Sequence, residues 1–165
     1  METNKNKIQE KGYRSGMVHF ILVHSYVIFF LAVILGVFFD TFLKKKMFSF
    51  LYYDYIGFLM LIVSTIIIYW AQKTSSNYQQ RVLKDSSRSN FEFGPYRYLR
   101  SPTHFGLFIM TLGFSLIINS FFSIIFTFIA YGFTKLFFLK KEEKMLEYKY
   151  GQVYRDYKKK VRNWI

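Results

Sequence analysis

The chain contains no cysteine, which excludes disulfide cross-links and thiolate metal sites. Histidine is nearly as scarce: the three present, His19, His24 and His104, offer no metal-ligand spacing. Carboxylates are few, 10 against 23 lysines and arginines, leaving a net charge of +13. Proline occurs only at Pro95 and Pro102, both in one polar segment between apolar runs. No repeat, low-complexity linker or break in composition divides the 165 residues, so a single domain is expected.

What is abundant is apolar surface. The chain is 52% hydrophobic and 22% aromatic, and a soluble domain of this size seldom joins such a composition to a charge of +13. The two properties are segregated along the chain. Residues 17–39 carry no charge, and at about 1.5 Å per residue they can cross a hydrocarbon core of roughly 30 Å. No small-residue cleavage site follows Phe39, so this run is expected to stay as a helix. A second span, 55–72, is flanked by Tyr52, Tyr53, Tyr69 and Trp70, residue types that settle at headgroup level. Residues 103–118 and 121–139 form a third and fourth span, hinged at Asn119-Ser120. A chain of this length cannot bury four apolar runs from water. The expectation is an all-α integral membrane protein with about four transmembrane helices and a C-terminal helical extension.

Basic residues orient such a bundle, because Lys and Arg remain in cytosolic segments. They cluster in the N-terminal tail 1–16 and in the polar segments 73–102 and 140–165, which four spans place together on the cytosolic side of the cytoplasmic membrane. Lys44, Lys45 and Lys46 fall opposite. Topology, and attraction of Lys158-Lys159-Lys160 to anionic headgroups, account for most of the basic charge without nucleic acid.

Two polar segments can carry chemistry. The first runs from Gly94 to Gly106 and holds Tyr96, Arg97, Arg100 and His104. It enters the third span at Pro102, a position where a missing N–H costs little. A helix start beside guanidinium groups suits an anionic group such as a carboxylate or phosphate. The second segment begins Lys140-Lys141-Glu142-Glu143 and reaches Gly151, a natural stop or bend. Carboxylates contribute little to topology, so a glutamate pair where a helix leaves the membrane is either paired with lysines or functional.

Taken together, these segments resemble the isoprenylcysteine carboxyl methyltransferase and phospholipid methyltransferase superfamily. Its G-x-Y-x-x-x-R-H-P-x-Y-x-G stretch corresponds to Gly94-Pro95-Tyr96 and Arg100-Ser101-Pro102-Thr103-His104-Phe105-Gly106. Its E-E-x-x-L and F-G-x-x-Y-x-x-Y correspond to Glu142 to Leu146 and Tyr150 to Tyr157. The likeness covers about half the chain, from Arg81 onward. It implies a membrane enzyme that uses S-adenosylmethionine without a Rossmann domain, and the chain has no strand, Gly-rich loop and helix unit. Carried over by position, the implied cofactor-binding residues are Arg88, Ser89, Asn90, Phe91, Tyr96, Ser101, Pro102, Thr103, His104, Glu142 and Glu143, with Gln80 on a looser alignment. Arg100, His104 and Glu142 are the implied catalytic residues. The implied acceptor is a lipid or apolar small molecule arriving sideways between helices.

The sequence departs from that pattern at three places. Ser101 stands where the family has histidine, His104 where it has tyrosine, and Phe138 where the prenylcysteine enzymes have an arginine for the substrate carboxylate. Imidazole is thus displaced three residues, about one helical turn. Two other readings remain. NADPH-dependent membrane sterol or enone reductases share the first stretch but carry a glutamate after its last glycine, where this chain has Leu107. A non-catalytic membrane scaffold is the other. His19 and His24 are read as interfacial or packing residues, and Gly106 and Gly113 as points of close helix approach.

Overall fold

A computed structural model of the chain describes residues 2–43, 52–84 and 94–161, with side chains described at 23–43, 52–77 and, past residue 93, all but 149, 150 and 153. Among the described residues there is no strand. Helix α1 (Glu2–Leu43) and helix α2 (Tyr52–Lys84) are long. A short 3-10 turn (Gly94–Arg97) leads into α3 (Pro102–Ile117), then α4 (Phe121–Phe133), a π-helical stretch (Thr134–Leu139), α5 (Lys140–Tyr150) and α6 (Gln152–Lys160).

Helix α1 is already helical at Glu2 and α2 continues to Lys84, so both outrun the apolar spans read from composition. Lys, Gln and Glu propagate a helix well, and no proline interrupts either extension. Among the described residues, three stretches are long and apolar enough to cross a membrane: Val23–Leu43, Tyr52–Asn77 and Phe121–Tyr148. Helix α3 is apolar but shorter, 16 residues or about 24 Å. At 28 residues, or about 42 Å, Phe121–Tyr148 exceeds a hydrocarbon core of about 30 Å, so its charged end, α5, extends beyond it.

Small and hydroxylic residues share the interior with a few large apolar ones, Phe29, Leu107 and Phe108, while many other large apolar side chains point outward, as lipid solvent allows. Ser25, Ser64, Thr111, Ser115, Ser123, Thr127 and Thr134 are buried, whereas Phe30, Leu59 and Ile129 are more than half exposed. Most of these hydroxyls return their proton to their own helix, as Thr127 does to the Ser123 carbonyl at 2.7 Å. Ser123 instead donates across to the Val33 carbonyl of α1 at 3.1 Å. Here α1 and α4 run so close that a Cβ at Gly36 would collide with the Ser123 backbone. On the other side α2 and α3 touch backbone to backbone, where a Cβ at Gly113 would sit 2.9 Å from the Gly57 carbonyl oxygen. The bundle is therefore two tight pairs, α1 with α4 and α2 with α3, joined through α3.

The α3–α4 hairpin turns at Asn119, whose φ is +56°, and Ser120. The Ser120 hydroxyl accepts from the Ser123 N–H and donates to Asp40 at the end of α1. Asp40 also accepts from the Phe122 N–H at 3.3 Å, so α1 helps to cap α4. With that end closed, the opposite end of the bundle collects the N-terminus of α3, the later part of α2, and α5.

Candidate active site

Pro102 starts α3, and Ser101 before it makes no side-chain capping bond. The Ser101 side chain therefore leaves the first N–H groups of the helix uncapped. The 3-10 turn is folded against α2, where Gly94, at φ +57°, lies against Thr74. This contact holds Tyr96 half-buried, and its hydroxyl bonds with the side chains of Ser75 and Thr103.

His104 is 3% exposed, and its Nε2 lies 3.1 Å from the Ser25 hydroxyl of α1. Its other ring nitrogen, Nδ1, faces Glu142 Oε2 at 4.0 Å, too long for a hydrogen bond. The π-helical stretch interrupts the ordinary register just before Glu142, and Phe138 within it stacks on His24 at 6.4 Å. Such π turns recur at functional sites.

Neighbours in sequence, Glu142 and Glu143 differ entirely in surroundings. Glu143 accepts from Arg100 Nη1 at 2.8 Å and lies 3.0 Å from Lys158 Nζ. Lys158 also donates to Glu147 at 2.9 Å, and these two carboxylates hold its ammonium above the usual lysine range. Among the described residues no lysine or arginine pairs with Glu142. Its Oε2 is buried without a hydrogen-bond partner, and burial, then the Glu143 charge beside it, push its carboxyl up to about 7. Tyr96 is raised as well, by burial first and then by the charge of Glu142.

Helix α6 closes over this end. Gly151, at φ +58°, turns the chain out of α5, and α6 brings back Tyr154, Tyr157 and Val161 as a small buried cluster against Leu146. The Tyr157 hydroxyl donates to the Tyr96 carbonyl at 2.6 Å, tying α6 to the 3-10 turn. Burial, Glu143 and Glu142 together raise the Tyr154 phenol far above its ordinary value.

Of the residues expected from sequence, Tyr96, Arg100, Ser101, Pro102, Thr103, His104, Glu142 and Glu143 gather at this end. Arg88, Ser89, Asn90 and Phe91 lie outside the described residues, as does the side chain of Gln80. Arg97 is exposed and does not converge on the others. Lys158, read with Lys159 and Lys160 as a headgroup contact, is instead engaged by Glu143 and Glu147. Sequence reading missed Ser25, Ser75 and Lys158, and it left Tyr154 and Tyr157 as motif letters without roles. The Y-x-x-Y spacing was the available signal for the tyrosines, whereas a serine in a long helix carries none.

The family model described as Phospholipid methyltransferase matches residues 52–153, well over half of the chain. The chain belongs to that family. No curated protein and no solved structure matches it. The matched segment runs from the start of α2 to the first residues of α6, so of the elements at the Glu142 site it leaves out α1 and most of α6, with Tyr154, Tyr157 and Lys158. Family membership implies methyltransferase activity in a membrane setting, and the three long apolar helices agree with that setting.

Proposed function

We propose that this chain transfers a methyl group from S-adenosylmethionine to a lipid-like or apolar acceptor at the cytosolic face of the membrane. In this reading α3 is a fourth crossing, both termini are cytosolic, and segments 73–102 and 140–165 form the cofactor pocket. The observation that carries it is Glu142, a half-buried carboxylate whose Oε2 is buried without a partner, beside a helix start that the Ser101 side chain leaves uncapped.

Those groups fit the cofactor. A partnerless carboxylate oxygen suits an amino group or a ribose hydroxyl, and the α3 start with the buried, partnerless Arg100 Nε suits a carboxylate. The tyrosine face of Tyr96 suits a sulfonium cation. When bound, S-adenosylmethionine supplies an electrophilic methyl group for in-line displacement. The protein's work is then alignment, exclusion of water and handling of a proton. Alignment falls to the 3-10 turn and the α3 start, which Tyr157 ties to α6. Water is excluded by the Tyr154, Tyr157 and Val161 cluster. Glu142 and His104, facing each other at 4.0 Å, are the groups able to accept a proton from an attacking amine or hydroxyl, which favours these over a carboxylate acceptor.

Leu107 weighs against the reductase reading, because the position of that family's glutamate is here 3% exposed and part of the apolar core. The test is transfer of a labelled methyl from S-adenosylmethionine to extracted bacterial-type and eukaryotic-type lipid mixtures in nanodiscs. Wild type labels a lipid fraction, and Glu142→Ala loses at least about 100-fold of that rate, the scale of lost positioning. Equal labelling by wild type and Glu142→Ala would remove Glu142 from the reaction.

A further inference from the structure

Helix α1 lies outside the segment that matches the family, yet it reaches His104 through Ser25. Ser25 is 1% exposed, and its hydroxyl lies 3.1 Å from His104 Nε2, 79 residues away in the chain. A bond between two fully buried polar groups on different helices fixes ring orientation, because rotating the imidazole would leave both without this partner.

The direction of that bond decides what the ring can do. A serine within a helix ordinarily returns its own proton to a carbonyl one turn back, leaving its oxygen lone pairs to accept. Nε2 then carries the ring hydrogen and Nδ1 presents a lone pair. That lone pair faces Glu142 Oε2, another acceptor without a partner, across 4.0 Å. Two acceptors facing each other with no hydrogen between them make a place to receive one. In the other tautomer Nδ1–H would face Glu142 and that place would already be filled, whereas a reversed ring would present carbon to both Glu142 and Ser25.

We infer that Ser25 is a positioning residue: by accepting from Nε2–H it holds neutral His104 in the tautomer whose Nδ1 faces Glu142, so that α1 completes the proton-accepting site. The inference rests on the methyl-transfer reading for its functional meaning, but its structural content can be measured separately.

The experiment uses the full chain in nanodiscs with nitrogen-15 histidine, comparing wild type, Ser25→Ala and Ser25→Thr. Only three histidines contribute signals, and His104→Asn identifies the one that matters. Wild type is expected to show His104 neutral with Nε2 protonated. Ser25→Ala is expected to give a mixture of tautomers, and Ser25→Thr, which keeps the hydroxyl, to restore the single form. In the methyl-transfer assay kcat is expected to fall about tenfold in Ser25→Ala, with the KM for S-adenosylmethionine within twofold of wild type and recovery in Ser25→Thr. A tautomer unchanged in Ser25→Ala overturns the inference whatever the activity. A changed tautomer in a protein that transfers no methyl group upholds the role of Ser25 and counts instead against the methyltransferase reading.

Discussion

Glu142 and Glu143 show how little adjacent charge says about role. Arg100 and Lys158 neutralise Glu143, whereas Glu142 keeps a buried oxygen with no partner and a carboxyl held at about 7 instead of its ordinary 4.5. The sign of its effect on stability follows. Below pH 4.5 the group is protonated whether the chain is folded or unfolded, and its burial carries no charge penalty. As pH rises from 4.5 to 7 the unfolded chain releases the proton and the folded chain retains it, so the folded state loses ground, by at most about 3 kcal/mol. The thermal midpoint of the detergent-solubilised protein should fall between pH 5 and pH 8, and Glu142→Gln should remove that part of the fall. Identical pH dependence in the two proteins would contradict the burial of this carboxyl. The departures at Ser101 and His104 also acquire a physical meaning at this scale. Ser101 leaves the helix start uncapped, and imidazole one turn later reaches both Ser25 and Glu142.

Among the elements, the closest helix approaches are made at glycine and hydroxyl residues. Gly106 and Gly113 were legible as close approaches because each interrupts an apolar helix, and the structure places them against Ile68 and Gly57. Gly36 was not legible in the same way, since its partner, Ser123, is 87 residues distant and only tertiary structure brings the two together. Gly36→Ala should destabilise by about 1–3 kcal/mol, because the Ser123 backbone cannot yield as a flexible side chain would. Gly132, with open space where its Cβ would stand, is the internal control. Gly132→Ala should be neutral or raise stability by about 0.5–1 kcal/mol through helix propensity. Thermal denaturation of both variants in one detergent decides the matter, and equal effects would contradict the α1–α4 contact. The π stretch before Glu142 was invisible in sequence, since no residue type signals the extra residue in that turn.

For the molecule as a whole, hydropathy made an all-helical chain with membrane-length apolar helices legible because bilayer thickness is a simple ruler. Helix ends were less legible, since α1 and α2 continue through polar residues that favour helix as readily as they favour water. The site was legible as motif letters at Tyr96, Arg100, His104 and Glu142, which share one end of the bundle. It was not legible as a network, because Ser25, Ser75 and Lys158 enter only when α1, α2 and α6 fold onto α3 and α5. The central claim is that this end of the bundle binds S-adenosylmethionine through Glu142. Calorimetry on the purified full chain in detergent tests it most directly, with Glu142→Ala beside wild type and NADPH as a second ligand. The account predicts saturable binding of S-adenosylmethionine by wild type, at least about tenfold weaker binding by a folded Glu142→Ala, and none of NADPH; a folded wild type that binds NADPH and not S-adenosylmethionine would contradict it.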